Sequence, residues 1–324
     1  MSDRPLVSFC LKAYNQRDYI DTAIDGALAQ TYRPIEIVIC DDCSTDGTWE
    51  RIGKRLEGAE SEGRRIVIHR NERNLGNAKN WEMCGRLARG ELLVKADGDD
   101  ISLPERTEKI VSAWVADGKR AKVLTHAVKT LPGDSVISDR CAANPLGAGM
   151  AWTKDCFEDW PEIGEDCRRT YDDVIYSRRG LLLGSDLVMK DVLVHYRVGS
   201  GETSLAGEYR RPYARSVEGF LSAIPQERRD LQWALERGAI DRVRYERELA
   251  GVEARRRVNS GLAQLLSDDS VLRKWRAFRS VRKEFNWHGQ VVFAIFLLPT
   301  GISDRLMKAA LRVLGGAKRL RRLI

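Results

Sequence analysis

The chain has 324 residues, of which 43% are hydrophobic and 31% are charged, and its formal net charge is +7. This length accommodates one large domain or two smaller ones, at roughly 100–200 residues per domain. The hydrophobic fraction is typical of a globular core and excludes wholesale disorder. The longest uninterrupted apolar run covers residues 291–298. A membrane-spanning helix needs about 20 such residues, so we expect no multi-span membrane protein.

The N-terminal part of the chain predicts alternating strands and helices. Short apolar runs rich in β-branched residues predict strands, and apolar residues at helical spacing predict helices between them. This order indicates right-handed crossovers and a mostly parallel sheet flanked by helices, which is an α/β fold. The predicted strands cover residues 6–11, 35–40, 66–69 and 91–96, and the predicted helices cover 19–30, 49–56 and 81–88.

The pattern changes after Ser102. From about Pro212 onward the chain is rich in Arg, has helical spacing and shows few strand signals. The sequence therefore predicts an α/β body followed by a helical C-terminal region. Between these two points we predict a helix at 104–115, a strand at 121–128, loops at 130–148, a helix at 171–183 and a strand at 191–198.

Polar clusters follow three of the predicted strands at their carboxyl ends, namely residues 12–14, 41–42 and 97–100. Ligands of parallel α/β sheets bind beyond these ends, so the clusters indicate a binding site. Tyr14 offers a ring for stacking on a base, and Asp42 offers an acceptor. The three carboxylates of 97–100 require solvent or a cation, and divalent cations take carboxylate oxygens with substrate phosphates. Acidic turns, helix caps and a packed Tyr14 are the alternatives.

The chain has seven cysteines and no secretory signal at its start, which predicts reduced thiols and a cytoplasmic location. Cys40 and Cys43 form one C-x-x-C motif, but the two intervening aspartates would raise a thiol pKa rather than lower it. No second pair supplies the further ligands that a structural zinc site needs. We therefore favour small buried side chains at a strand end over metal or redox chemistry.

Charge is divided unevenly along the chain. Residues 271–324 carry 13 Lys and Arg against two acidic residues, a net charge of +11, which leaves −4 for the remainder. Residues 271–283 interleave cations with Trp275 and Phe278, 287–298 are apolar, and 306–324 alternate aliphatic and basic residues. This composition is typical of in-plane helices that bind anionic lipid. Nucleic-acid binding and packing on the body are the alternatives.

Sequence motifs recur in a fixed order along residues 5–205. They resemble those of the family 2 glycosyltransferases, most specifically in the N-terminal half. Departures include Lys12, where Pro is common, Cys43, where Gly or Asn is usual, and Gly199, where His is frequent. The matching blocks are Ala13-Tyr14-Asn15, 29–32, Asp41-Asp42 through Thr48, 74–76, Asn80-Trp81, 88–91, Asp97-x-Asp99-Asp100, Pro104 with Arg106, Asp172-Asp173 with Arg179 and Gly184, and 195–197 through 203–204.

The resemblance implies a GT-A fold with a nucleotide-sugar half at 1–103 and an acceptor half at 104–210, followed by a basic helical region at 211–324. It implies Mg²⁺ or Mn²⁺ as cofactor. It also implies Asp173 as the general base, preferred to the rival pair Glu165 and Asp166. The remaining implied site residues are Ala13, Tyr14, Asp42, Asn80 and Asp97 for the nucleotide, Asp99 with Asp97 for the metal, Asp172 beside the base, and Trp152 for stacking on the acceptor, with a core Trp as its alternative.

The implied activity is inverting transfer of a hexose from a nucleotide-diphosphate donor, most simply a UDP-sugar. The acceptor would be a hydroxyl of a glycan or lipid-linked molecule in cell-surface polysaccharide synthesis. The Gln-x-x-Arg-Trp motif of processive members is absent from the sequence, which favours transfer of single sugars. The basic tail predicts a peripheral position at the inner face of the plasma membrane and no nucleic-acid partner. A nucleotide-sugar-binding protein without turnover and a nucleic-acid-binding protein are the alternatives.

Overall fold

The computed structural model describes residues 4–59, 64–138, 140–143, 145–198, 210–266 and 270–281. Within these residues one large sheet is flanked by helices. Its strands are Val7–Ala13 (β1), Ile35–Asp41 (β2), Arg65–Arg70 (β3), Leu92–Asp97 (β4), Ile101–Ser102 (β5), Ala121–Leu131 (β6), Val136–Ile137 (β7), Met150–Thr153 (β8) and Ser185–Arg197 (β9).

The described helices alternate with the strands in the first half and dominate the end of the described chain. Three single 3₁₀ turns, at Gly147–Gly149, Lys154–Cys156 and Glu165–Cys167, lie between β7 and the fifth α-helix. The α-helices are Ile20–Leu28 (α1), Thr48–Leu56 (α2), Asn77–Leu87 (α3), Arg106–Ala116 (α4), Asp172–Leu183 (α5), Arg210–Glu236 (α6), Arg242–Leu266 (α7) and Val271–Val281 (α8).

The strand order is β3-β2-β1-β4-β8-β6-β9-β5, with β7 paired to β6. The pairs β1–β2, β1–β4, β2–β3 and β6–β9 run parallel, whereas β8 runs antiparallel to both of its neighbours. Lys12 of β1 lies opposite Asp97 of β4, and Ala13 lies opposite Asp41 of β2. The register therefore brings the three polar clusters to one edge of the sheet. The predicted α/β fold class is confirmed.

Both faces of the sheet are buried, which explains why the strands read as continuous apolar runs. Phe9 and Leu11 point into a core shared with α1 and α4, whereas Cys10 between them points into a second core shared with α3 and α5. Side chains alternate across a strand, so one apolar run serves two layers of helices. All seven cysteines are free, and Cys10 and Cys40 are fully buried.

The second half of the sheet differs from its prediction in three details, one of which is that β7 lies within the predicted loops at 130–148. The predicted strand at 191–198 begins earlier, at Ser185, because it pairs with β6 along most of its length. The short strand β5 was not predicted, and it pairs with β9 next to the 97–100 cluster. Two residues are too few to show an alternating pattern, so no local signal marks this strand.

The described C-terminal helices α6 and α7 pack onto the body, and α8 packs on α7. Trp160 and Leu182 of the body share an apolar core with Ile224 and Leu231 of α6. Arg179, a residue of the recognised motif, is buried and donates to both carboxylate oxygens of Asp230 at 2.8 and 3.1 Å. Among the described residues, no helix is both long enough and apolar enough to cross a membrane. The predicted segments at 287–298 and 306–324 lie outside the described residues, as does the loop at 199–207.

Candidate active site

Asp42 lies just beyond β2 and anchors the loop that precedes α3. It is 2% exposed, and its carboxylate accepts hydrogen bonds from the backbone amides of Leu75 (2.8 Å) and Gly76 (2.9 Å). The side-chain amide of Asn71 donates to it at 2.8 Å. Uncharged donors thus surround this carboxylate. The loop fixes it in place, and its predicted contact with a nucleoside stays a prediction.

Asn80 is also buried, and it ties strand ends together. Its side-chain amide donates to the carbonyl oxygens of Cys40 (3.2 Å) and Ala13 (3.5 Å), and its oxygen accepts from Asn71 at 3.0 Å. These hydrogen bonds hold α3 against β1 and β2. Asn80 therefore has a structural role in addition to the nucleotide contact that the motif predicts.

Tyr14 follows the buried Ala13 at the end of β1 and is half-buried. Two hydrogen bonds of 2.9 Å join the loop after β1 to the loop after β2. In one the Asn15 amide donates to Ser44 Oγ, and in the other the Thr45 amide donates to Asn15 Oδ1. The predicted nucleoside residues Ala13, Tyr14 and Asp42 therefore lie on a connected set of loops at one sheet edge.

The carboxylates after β4 have very different surroundings from Asp42. Asp97 contacts two ammonium groups, Lys12 Nζ at 3.2 Å and Lys95 Nζ at 3.1 Å. Burial by itself would raise the pKa of Asp97, but the ammonium groups of Lys12 and then Lys95 lower it to about 2. Asp100 accepts a hydrogen bond from the Arg197 amide at 2.8 Å. Burial, then Asp99 and Asp97, raise the pKa of Asp100 well above its ordinary value.

The pair Asp172 and Asp173 forms the first turn of α5, and the fold brings it to the same edge as Asp97. Asp172 Oδ2 lies 2.7 Å from Lys12 Nζ and 3.2 Å from Lys95 Nζ. Asp173 is half-buried and accepts a hydrogen bond of 3.0 Å from the Gly147 amide. Burial, then the Asp172 carboxylate, raise the pKa of Asp173 to about 6, although Lys95 and Lys12 lower it. A carboxylate with this pKa is suited to accept a proton near neutral pH.

Two residues of this cluster, Lys95 and Gly147, were missed from the sequence. Lys95 interrupts the apolar run of β4, and a charged residue inside a buried strand is a signal that could have marked it. The rival acidic pair has other partners. Glu165 contacts Lys79 at 2.5 Å, and Asp166 contacts Arg229 at 2.9 Å.

The two predicted metal ligands, Asp97 and Asp99, have different surroundings. Both oxygens of Asp97 already contact ammonium groups, so a cation bound to them would lie beside two positive charges. Asp99 is 8% exposed at the same strand end. The described residues contain no group of three His, Cys, Asp or Glu side chains placed to ligate a metal. A cation at Asp99 would therefore take further ligands from substrate oxygens, a common arrangement for Mg²⁺, and its binding stays a prediction. The predicted metal contact of Asp97 does not fit its surroundings.

The predicted stacking of Trp152 on an acceptor sugar is wrong. Trp152 lies on β8 and is fully buried, with its ring 5.6 Å from that of Trp81 and 6.4 Å from that of Tyr176. β8 is inserted between β4 and β6, and side chains on both of its faces are covered. The alternative of a core Trp is confirmed.

Comparison with known proteins identifies the first part of the chain. Residues 8–134 match the sequence model of the family described as glycosyl transferase family 2. These residues form a family 2 glycosyltransferase domain, which confirms the resemblance of the motifs. Lys12, Asp97 and Asp99 fall within the match, whereas Asp172 and Asp173 follow it.

Two curated relatives match at high identity over part of their length. The chain is 37% identical over 112 residues to the putative glycosyltransferase EpsE of Bacillus subtilis, covering 35% of this chain and 39% of the relative. It is 39% identical over 95 residues to the UDP-Glc:alpha-D-GlcNAc-diphosphoundecaprenol beta-1,3-glucosyltransferase WfaP of Escherichia coli, covering 29% and 36%. The chain thus spans little more than a third of the length of these relatives.

Solved structures match along nearly the whole chain. Residues 1–349 of Staphylococcus aureus TarS in complex with UDP-GlcNAc superpose with a TM-score of 0.56 and 17% identity, covering 96% of this chain and 92% of that TarS chain. A Pyrobaculum calidifontis mannosyltransferase in complex with GDP-Man and Mn²⁺ superposes with a TM-score of 0.56 and 16% identity, covering 95% and 85%. At these identities the likeness shows a shared fold.

Proposed function

We propose that this chain is an inverting hexosyltransferase that moves a sugar from a UDP-sugar to a hydroxyl group of a glycan or lipid-linked acceptor. The family 2 domain supports transfer of a sugar from a nucleotide donor. The Escherichia coli relative is a UDP-Glc-dependent enzyme with a diphosphoundecaprenol-linked substrate, and another relative is the succinoglycan biosynthesis protein ExoO of Rhizobium meliloti. These relatives support a role in cell-surface polysaccharide synthesis.

The placement of Asp173 carries this proposal. An acceptor hydroxyl ionises far above neutral pH, so a base must take its proton as the new bond forms. Asp173 lies at the sheet edge that holds the donor-side motif, with the Gly147 amide fixing one of its oxygens. Its pKa of about 6 leaves it mostly deprotonated at neutral pH. Asp172 forms ion pairs with Lys12 and Lys95, so we assign the role of base to Asp173.

The donor diphosphate would leave as Asp173 takes the acceptor proton. Attack from the opposite face of the sugar then gives a single inversion. We propose Asp99 as the carboxylate that would hold Mg²⁺ or Mn²⁺. When bound there, the cation would offset the negative charge that develops on the departing diphosphate. Tyr14, Asp42 and Asn80 would line the nucleoside side of the same edge.

A donor screen tests the function. Purified protein is incubated with UDP-sugars, Mg²⁺ or Mn²⁺, and a lipid-extract acceptor, and release of UDP is measured. We expect acceptor-dependent release with one donor, and a loss of about 10³-fold or more in kcat for Asp173→Asn with nucleotide affinity retained. Glu165→Gln, from the rival pair, is the control and should keep its activity. Wild-type protein that binds UDP and consumes no nucleotide sugar would instead be a binding protein.

The exposed face of α8 supports a second proposal, a peripheral position on an anionic membrane. Leu272 and Trp275 are 60% and 44% exposed, and the exposed Arg276 and Arg279 share the helix with them. Basic residues with apolar neighbours bind anionic bilayers through charge and shallow insertion. α8 packs against α7, and its Ala277 and Phe278 are buried.

Liposome co-sedimentation tests the membrane proposal. Replacing Leu272 and Trp275 by Ser should lower binding to vesicles rich in anionic lipid about tenfold, because about 0.8 kcal/mol is lost per CH₂ group withdrawn from the bilayer. Val243→Ser is the matched control, since Val243 is an exposed apolar residue on α7 (76%). Equal sedimentation of all three proteins would refute a role for this face. Binding to RNA in place of vesicles would favour the nucleic-acid alternative.

A further inference from the structure

Four charged side chains, three of them buried and the fourth (Asp97) 20% exposed, form a closed ring between the two halves of the site. Lys12 Nζ lies 3.2 Å from Asp97 Oδ1 and 2.7 Å from Asp172 Oδ2. Lys95 Nζ lies 3.1 Å from Asp97 Oδ2 and 3.2 Å from Asp172 Oδ2. The side chains of Lys12, Lys95 and Asp172 are 7%, 3% and 3% exposed. We call these four residues the Lys–Asp ring.

Stability alone is a poor explanation for this ring. Burying an ion pair requires stripping water from both charges, and well-packed apolar side chains of similar volume are often as stable or more stable. The two positive and two negative charges balance, and each ammonium contacts both carboxylates. The members come from β1, β4 and α5, so the ring joins the donor-side strand ends to the helix that carries Asp173.

The ring reaches Asp173 by two short routes. Asp172 Oδ1 accepts a hydrogen bond from the Asp173 amide at 2.7 Å, so the carboxylate held by the lysines also fixes the backbone of the base. The Gly147 amide holds Asp173 Oδ2, and Gly147 lies so close to the ammonium of Lys95 that a Cβ there would overlap it. Lys95 thus packs beneath the residue that orients the carboxylate of Asp173.

We propose that Lys12 and Lys95 are positioning residues, which set the first turn of α5 and with it Asp173 against the donor half, and that Asp97 serves this ring and not a metal ion. The positioning of the base rests on the proposed glycosyl transfer. The ring itself and the metal assignment do not require turnover.

Steady-state kinetics test the positioning. Lys95→Met keeps the apolar stem and removes the charge, and we expect kcat to fall about 30-fold or more while donor KM stays within about threefold. Lys122→Met is the matched control, because Lys122 is also a strand lysine, 26% exposed and paired with Asp155 at 2.5 Å. It should keep the wild-type kcat. A wild-type kcat in Lys95→Met overturns the positioning role.

Urea unfolding separates a misplaced base from a misfolded protein. The double variant Lys95→Met with Asp172→Asn removes one charge of each sign, so we expect its unfolding midpoint to return toward that of the wild type. Its kcat should stay as low as that of Lys95→Met. Additive losses of stability in the two single variants would show that Lys95 and Asp172 do not interact, and the ring would be wrong whether or not the protein turns over a sugar.

Mn²⁺ titration followed by electron paramagnetic resonance, in the presence of UDP, tests the metal assignment without turnover. We expect Asp99→Asn to weaken Mn²⁺ binding about tenfold or more and Asp97→Asn to change it less than about twofold. Equal losses in the two variants overturn the assignment of Asp97 to the ring. A wild-type protein that binds Mn²⁺ and consumes no nucleotide sugar refutes the proposed function alone, and the unfolding cycle still decides the ring.

Discussion

A carboxylate lies at the carboxyl end of both β2 and β4, with Asp42 just beyond β2 and Asp97 as the last residue of β4, yet the surroundings of the two differ. Asp42 accepts hydrogen bonds from Leu75, Gly76 and Asn71, all uncharged donors. Asp97 contacts the ammonium groups of two lysines. The first carboxylate orders a nearby loop, and the second shares its two lysines with Asp172, so that β1 and β4 are linked to the first turn of α5. An aspartate at the carboxyl end of a strand can therefore have different roles. Its role depends on which hydrogen-bond donors or ammonium groups the fold places next to it.

Among the variants that test this comparison, the largest effect is expected where the Lys–Asp ring reaches the base. Gly147→Ala adds a methyl group where Lys95 Nζ lies, with Asp173 Oδ2 only 3.5 Å away. Either the loop or the ring must shift, and we expect kcat to fall about 100-fold, because small displacements of a catalytic group cost about that much. Gly133→Ala is the control. A Cβ at Gly133 would meet only Thr130 Oγ1, although its positive φ predicts some loss of stability. Unchanged kinetics in Gly147→Ala would separate the ring from the chemistry.

A smaller effect is expected at Asp42. Asp42→Asn leaves one acceptor oxygen for three donors, and a buried donor left without a partner costs about 1–3 kcal/mol. We expect the free energy of unfolding in urea to fall by this amount. UDP affinity, measured by calorimetry on the same variant, then tests the predicted nucleoside contact. A loss of UDP affinity with full stability would make Asp42 a binding residue and not an anchor.

A pH profile distinguishes the carboxylates by their charge state. Asp173 must be deprotonated to accept a proton, and its pKa is raised to about 6. We therefore expect kcat/KM to fall about tenfold per pH unit below that value. Asp172→Asn removes a negative neighbour that raises this pKa, so the acid limb should move to lower pH. An acid limb at the same pH in both proteins would assign it to another group.

The smallest effect is expected beside Asp42, at Cys43. Its φ is +62°, a left-handed conformation that costs a side-chain-bearing residue about 1–2 kcal/mol and that glycine adopts freely. After the entropy cost of glycine, Cys43→Gly should raise the free energy of unfolding by about 0.5–1 kcal/mol, with kcat unchanged. Cys40→Gly, in a buried strand, should lower it. A lower stability for both variants would show that the hydrogen bond from Cys43 Sγ to the Glu72 carbonyl oxygen (3.6 Å) outweighs the strain at Cys43.

Much of the donor half follows from local sequence. The strand and helix order through β4 agrees with the structure to within a few residues, because apolar runs buried on both faces and helical spacing are local patterns. The strand ends also carry the acidic residues where expected. The second half was harder, since β5 is too short for a pattern and β9 owes its length to pairing with β6.

The burial of Trp152 could not be predicted from the residues around it in sequence. Its burial depends on β8 lying between β4 and β6, which no local pattern around Trp152 indicates. Lys95 shows the reverse. Its charge inside a buried strand was a local signal that the prediction did not use, and only the packing of α5 revealed its contact with Asp172. Whether a side chain is buried, and which group it contacts, both depend on elements that are separated in sequence and adjacent in the fold.

The sequence by itself determined three features. The uneven charge follows from composition, the α/β order from the spacing of apolar residues, and the family of the first half from motifs that occur in a fixed order. The tertiary structure decided which carboxylate receives amides and which receives ammonium groups, and it placed Asp173 beside a donor edge formed more than seventy residues earlier in the chain. The physical reason is that a carboxylate's function depends on its neighbours' charge and hydrogen bonds, and folding chooses those neighbours.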